Sequence, residues 1–190
     1  DECVEMLGDI IPWVHRLKDT EQDPEWHAEG DVHIHTNMVL QELYKLLEND
    51  ASHIQGWQRQ AIILGALLHD IAKPIRTKRF EIKGIERVGS PKHEAYGRSY
   101  LAFKLPALQL PFQVTWTVLN LIGEHHKPKL INVRNGSRPD YWTLARQADT
   151  ELLYWLEVAD MRGRICPDLD QQLLYLDEFR LFAEEYGVWG

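Results

Sequence analysis

The residues of this chain best suited to chemistry are histidines and aspartates at the edges of apolar stretches. The clearest case is Ala61-Ile62-Ile63-Leu64-Gly65-Ala66-Leu67-Leu68-His69-Asp70-Ile71-Ala72-Lys73-Pro74. A small and apolar run leads straight into His-Asp, and a lysine and a proline follow. Burying a carboxylate and an imidazole costs several kcal/mol unless a partner compensates. A metal ion or a salt bridge would do so. So would a plainer arrangement, with Asp70 capping the next turn and His69 hydrogen-bonded beside it. The other members are His35, His93, the adjacent pair His125-His126, and Asp160 late on an apolar segment. Imidazole and carboxylate together suit borderline divalent ions such as Mn, Fe, Co, Ni or Zn. Such ions polarise phosphoryl groups and acidify water. Each residue alone has an ordinary explanation as a capping or solvated group; only the set points to a metal.

These residues need elements to gather them, and apolar periodicity predicts mostly helices. Residues 3–15 read as an N-terminal helix broken at Pro12. Residues 16–30 read as a polar loop with Pro24. Asp31 suits an N-cap for a helix carrying Val39, Leu40, Leu43, Tyr44 and Leu47. Residues 57–71 read as the central buried helix, ending near Pro74. Alternation around Lys83-Gly84 predicts a small β-hairpin near residues 79–88, a flap or basic lid. Further helices are expected from Pro91 to Lys104, over 112–124, over 140–161 in two segments, and over 167–186. The last is built on Leu169, Leu173, Leu174, Leu176, Phe179, Leu181 and Phe182. Residues 129–139 hold the Asn135-Gly136 turn signal. The fold class is therefore an all-α bundle with one small hairpin. His15 and His27 have no motif around them and read as surface residues. His53 has no assignment, and His33 reads as a substrate-side or surface group.

The totals bound the answer. The chain has 190 residues and is 44% hydrophobic, enough for one globular domain with a real core. No apolar run approaches the ~20 residues of a membrane span. The first residues are acidic, without the basic start of a signal peptide. A chain beginning at Asp1 is expected to be a single domain, 1–190, cut from a longer protein. Cys3 and Cys166 are too few for a disulfide framework and read as small apolar residues, which fits a reducing cytoplasm. The net charge of −8 argues against a general nucleic-acid binder. Its distribution is uneven. Residues 73–138 hold 13 Lys/Arg against 4 Asp/Glu, a balance of +9, and the remainder stands at −17. A cationic rim beside His69-Asp70 suits a phosphate-bearing substrate. The same charges could simply decorate a solvated loop.

The order His, His-Asp, His, His-His, Asp, spread over residues 31–162, resembles the HD superfamily of metal-dependent phosphohydrolases. Gly30-Asp31-Val32-His33-Ile34-His35-Thr36 resembles the opening of the HD domain in bacterial tRNA nucleotidyltransferases. Lys92-His93-Glu94, with Gly97 after it, resembles their Gly-His-Glu segment, with Lys92 replacing the glycine. The resemblance implies an HD helical bundle holding one or two divalent transition metals. A first site would use His35, His69, Asp70 and Asp160. A second would use His93, His125 (favoured) and His126, with Asp70 bridging. Asp70 and Lys73 would be catalytic, and Lys73, Arg76, Arg79, Arg98, Lys127 and Arg162 would face the substrate. Thr36 and Glu94 would act behind the ligands, and Arg164 could also reach substrate. The implied reaction is hydrolysis of a phosphomonoester or phosphodiester, on nucleotides or on RNA 2′-, 3′- or 2′,3′-cyclic phosphate ends. HD modules joined to polynucleotide kinases in RNA repair are similar too. Any fused kinase or nucleotidyltransferase would lie outside this chain, which has no P-loop. Two other readings stand beside this one. An HD-fold diiron oxygenase would share the ligands, but the cationic segment argues against it. A non-catalytic metal-binding module is disfavoured by so complete a ligand set.

Overall fold

The computed structural model describes the backbone of residues 2–190 and the side chains of residues 5–190. It is a helical bundle with one two-stranded antiparallel sheet. In chain order the elements are α1 (Glu2–Gly8), α2 (Val32–Glu48), α3 (Gly56–Leu68), α4 (Lys73–Arg76), β1 (Lys78–Ile82), β2 (Ile85–Gly89), α5 (His93–Lys104), α6 (Phe112–Glu124), α7 (Lys127–Val133), α8 (Arg138–Ala145), α9 (Thr150–Arg162) and α10 (Leu169–Glu185). Short 3-10 turns cover Pro12–Arg16 and Leu105–Leu108.

Helix α3 is the hub. It packs on α2, α6 and α9, and is apolar on nearly every face. Ile62 and Ala66 join a core of α2, α9 and α10 residues around Leu43, Leu156 and Phe179. Ala61 and Leu68 join a second core with Leu101, Val118 and Ile122 from α5 and α6. Helix α9 is buried from Thr150 to Met161, except Glu151, so it is a core helix rather than an amphipathic one. Helices α2 and α9, which carry His35 and Asp160, begin at true caps. Asp31 accepts from Ile34 N at 2.9 Å and Asp149 from Leu152 N at 2.9 Å.

Four local expectations need correcting. The central helix stops at Leu68, and His69-Asp70 lie on the turn beyond it. Lys73-Pro74 then opens α4 rather than ending α3, because the fixed φ of proline suits a first helical turn. Lys127-Pro128 does the same for α7, a helix that the Asn135-Gly136 turn signal did not reveal. On α10, Leu174 and Leu181 are exposed, while Leu176, Phe179 and Ala183 form its buried stripe. The hairpin matches its expected place. Lys78 pairs with Gly89 and Ile82 with Ile85, around a turn with φ of 51° at Lys83 and 80° at Gly84. Two consecutive positive φ values define a type I′ turn, so glycine fits there. Cys166 is a free thiol, partly buried; the side chain of Cys3 lies outside the described residues.

Gly163 closes α9 against α2. A Cβ there would stand 2.8 Å from Val39 N and 2.7 Å from Val39 Cγ2. Gly163→Ala is therefore expected to lose about 1–3 kcal/mol in urea unfolding, the cost of overpacking against backbone. A loss under about 0.5 kcal/mol would mean that the helices part freely.

A second test concerns Glu157, fully buried on α9. Burial pushes its carboxyl up to about 8 from 4.5, against the Lys129 charge and N–H. Below pH 4.5 both states hold the proton. Between 4.5 and about 8 the unfolded chain releases it while the fold retains it, so stability falls as pH rises through that window. Glu157→Gln in metal-free protein should thus raise Tm by a few degrees at about pH 8.5 and little near pH 5. The same Tm difference at both pH values would contradict this.

Candidate metal centre

His35 sits in the first turn of α2, His69 and Asp70 follow α3, and His93 opens α5. His125 and His126 form the junction of α6 and α7, and Asp160 lies in the last turns of α9. The fold brings all seven to one place, and all are buried except His126, which is partly exposed. His125 and His126 could not face one way on a regular helix. They do not have to, because the helix breaks between them.

Two groups of nitrogen and oxygen atoms result, each within 4.8 Å: His35, His69 and Asp160, and His93, His125 and His126. Asp70 lies between them. Its Oδ2 is 3.2 Å from His69 Nε2 and 3.8 Å from His35 Nε2; its Oδ1 is 3.1 Å from His93 Nε2.

Backbone carbonyls decide which ring nitrogen faces the centre. His69 Nδ1 donates to Ala66 O at 2.7 Å, His93 Nδ1 to Ser90 O at 2.8 Å, and His125 Nδ1 to Ile122 O at 2.8 Å. Each is the carbonyl three residues earlier. A neutral imidazole that gives its Nδ1 proton this way keeps a bare lone pair on Nε2; at His69 burial opposes protonation, but Asp70 and Asp160 together push its titration up. The Nε2 atoms of His93 and His125 then confront each other at 3.4 Å, lone pair against lone pair. His69 Nε2 and both oxygens of Asp70 are buried without a well-aligned hydrogen bond. Buried acceptors left so are costly unless a cation serves them all. The donor set, imidazole and carboxylate, is that of a divalent transition metal. Neighbouring ligands on one ion with ~2.1 Å bonds stand roughly 3 Å apart; His35 Nε2 and Asp160 Oδ1, hydrogen-bonded to each other at 2.9 Å, are close enough to share one ion. The residues present therefore fit a divalent ion.

Electrostatics agree. Burial, then the neighbouring imidazoles, push His125 down to about 3 and His126 well below its usual value, so both are neutral. Burial would raise Asp70, but His69 and Lys73 hold it far below the carboxylate range. Burial opposes ionisation of Asp160 too, yet Arg164 and His35 keep it charged. Arg164 grips it with two bonds, of 2.7 and 3.2 Å.

A second layer was not legible. Glu29 Oε1 lies 2.9 Å from His35 Nδ1 and 2.8 Å from His27 Nδ1, and its Oε2 accepts from Ile165 N at 2.8 Å. Its side chain is fully buried. Burial would raise this carboxyl, but the hydrogen bonds from His27, His35 and Ile165 hold it well below its ordinary range. His27, expected at the surface, is mostly buried on Glu29. Burial pushes it down to about 3 despite Glu29. Thr36 does not orient His35; its hydroxyl donates to Val32 O within α2. Glu94 Oε2 is 3.4 Å from His93 Nδ1. His53 lies away from the cluster, against Glu151.

The basic residues divide. Lys73 Nζ is 2.7 Å from Asp70 Oδ2 and donates to Gln22 Oε1 at 2.8 Å. Lys73, Arg164, Gln22, Trp26, His27, His93 and His126 line a pocket of ≈190 Å³ over the cluster. Arg76 donates to Pro91 O and stacks 4.3 Å above Tyr96. Arg79 pairs with Glu21 and Glu86, and Arg87 with Asp23 and Glu25. Arg98 is 3.6 Å from Glu124. Lys127 and Arg162 are exposed and do not line that pocket. Lys129 points inward, its Nζ 3.8 Å from Met161 Sδ.

A helical bundle that converges five histidines and two aspartates on a buried centre defines a metal-binding α-domain. The chain belongs to the HD domain family, whose model matches residues 32–171. It is also similar to the Multifunctional CCA protein of Shewanella frigidimarina (strain NCIMB 400), 28% identical over 170 residues. That match covers 82% of this chain, and the chain spans about a third (35%) of that relative's length. No helix among the described residues is long and apolar enough to cross a membrane.

Glu29→Gln keeps the bulk but loses the charge, and with its Oε1 toward the two histidines its NH2 group meets the Ile165 N–H that Oε2 accepts in the wild type. It is expected to weaken divalent-ion binding about 10–100-fold, read by titration calorimetry on chelator-stripped protein, with the fold intact by circular dichroism. Wild-type affinity would remove Glu29 from the ligand-orienting layer.

Proposed function

We propose that this HD domain is a divalent-metal-dependent phosphohydrolase. It would act on nucleotides or on RNA 2′-, 3′- or 2′,3′-cyclic phosphate ends. The observation that carries the reading is Asp70, with one oxygen toward each histidine group and Lys73 at 2.7 Å beside it. A bridging carboxylate between two donor sets suits two ions, with His35, His69 and Asp160 on one and His93, His125 and His126 on the other. Bound there, divalent ions supply Lewis acidity toward a phosphoryl oxygen and make water acidic enough to serve as a nucleophile near neutral pH.

The chain's own residues do the rest. Lys73 and Arg164 place two cations in the pocket wall, where negative charge grows as the phosphorus is attacked. Lys73 must exchange Gln22 for a phosphate oxygen, keeping Asp70 as its other partner. Arg164 is held in place by both oxygens of Asp160 and presents a planar donor group suited to phosphate. The 21–27 loop and Ser90 close the pocket side and limit access of bulk water. The similarity to a Multifunctional CCA protein, of which the chain covers about a third, supports a module within a longer protein; a nucleotidyltransferase or kinase domain would be its partner there.

The test is metal content together with hydrolysis of a generic ester and of nucleoside 2′-, 3′- and 2′,3′-cyclic phosphates. Two ions per chain and turnover of at least one ester are expected. Asp70→Asn should abolish turnover, and Lys73→Met should lower kcat about 10²–10³-fold, as loss of one charge-stabilising donor does. Bound iron with no ester hydrolysed would favour an oxygenase. Absence of any metal would refute the catalytic reading.

A further inference from the structure

The pairing pattern of the basic residues singles out a second surface. The hairpin's Arg79 and Arg87 are neutralised by acids of the 21–25 loop. The arginines at the ends of α7 and α8 are not. Arg134, Arg138 and Arg146 are exposed, and among the described residues no ion pair engages them. The one acid among them, Asp140, is spent on the Ser137 capping box. These residues line two adjoining hollows. One, of ≈340 Å³, lies between α7 and α8 and includes Lys127, Arg134 and Thr143. The next, of ≈330 Å³, includes Thr143, Arg138, Trp142 and Arg146. Thr143 belongs to both. The first hollow reaches Lys127, the residue after His126, which lines the metal pocket.

Trp142 adds a stacking face. Its Nε1 donates to Tyr186 O at 3.3 Å, which fixes the ring, and Arg138 sits 5.1 Å from the ring centroid. The indole is still 44% exposed. A row of unpaired arginines beside a pinned, open aromatic ring is what a single-stranded nucleic acid needs: charge for its backbone and a platform for a base.

We propose that α7 and α8 form a track for the single strand that ends in the phosphate held at the metal centre. Arg134, Arg138 and Arg146 hold the backbone, and one base stacks on Trp142. The location of the strand's end rests on the phosphohydrolase reading; the track itself does not. It gives an acidic chain a surface for a polynucleotide, where three exposed arginines carry no ion pair among the described residues.

The experiment uses 5′-labelled single strands of roughly 12 nucleotides, RNA and DNA, read by fluorescence anisotropy over a salt series. An Asp70→Asn background prevents hydrolysis. The background protein should bind RNA, or RNA and DNA alike. The triple variant Arg134→Gln/Arg138→Gln/Arg146→Gln should reduce the slope of log affinity against log salt by about 2, at about 0.7 per lost phosphate contact. Trp142→Ala should weaken binding about tenfold with the slope unchanged. In parallel, the triple variant with Asp70 restored should hydrolyse a small generic ester as fast as wild type. No strand binding at low salt, or a triple variant with the parental slope, overturns the track. Wild type that binds strands but hydrolyses no ester supports the track and instead counts against the phosphohydrolase.

Discussion

The constraint on which the rest depends is the burial of more acceptors than the protein's own donors serve. Asp70 and the Nε2 atoms of His69, His93 and His125 lie together, almost dry, and the Lys73 ammonium, 2.7 Å from Asp70 Oδ2, reaches one oxygen of the group. Protein alone makes that arrangement unstable, since each unserved buried acceptor costs about 1–3 kcal/mol. The fold tolerates it because the surrounding helices are packed on two separate apolar cores, and the seam between the cores is where the polar atoms sit.

Helix ends supply the order within that seam. The last carbonyls of an α-helix have no partner inside it. In α3 and α6 one such carbonyl, Ala66 O or Ile122 O, accepts the Nδ1 proton of the histidine that caps the helix. One bond does two jobs: it satisfies a helix C-terminus and fixes the tautomer that leaves Nε2 free to ligate. Both junctions then restart with Lys-Pro, in α4 and in α7. The repeated plan is a buried helix, a histidine cap, and a short helix begun by proline. It explains why adjacent histidines can converge, and why proline read as a stop signal in the sequence is a start signal in the structure.

This also separates what was legible in the sequence from what was not. The seven residues of the centre stood out by type, order and position at the ends of apolar runs, and the bundle and hairpin followed from periodicity. Glu29 gave no such signal. It belongs to a polar loop that periodicity cannot place, and it reaches His35 only because that loop packs against the segment after α9. The bond from Ala28 N to Ile165 O and the return bond from Ile165 N to Glu29 tie the two together. His27 was misread for the same reason. Arg162 and Arg164 could not be told apart from sequence: α9 ends between them at Gly163, which turns Arg164 back onto Asp160 and leaves Arg162 exposed.

Charge shows the same limit in a form that bears on function. The excess of +9 over residues 73–138 was visible, but counting along a chain assumes that neighbours in sequence share a face. In the fold, Glu21, Asp23 and Glu25 cross to the hairpin and cancel its arginines, and Arg146, outside the counted window, joins the free ones on α8. The hairpin is therefore a nearly neutral wall of the metal pocket, fastened to the loop that carries Glu29 and His27. The loop that lines the pocket is thus joined, through Glu29 and His27, to the Nδ1 side of His35. On the proposed phosphohydrolase reading, phosphate would be drawn from the other side, by Lys73 and Arg164 within the pocket and by the unpaired arginines beyond His126. An acidic protein can in this way present a strongly cationic approach to one buried point, since in salt of physiological strength charges more than ~10 Å away contribute little.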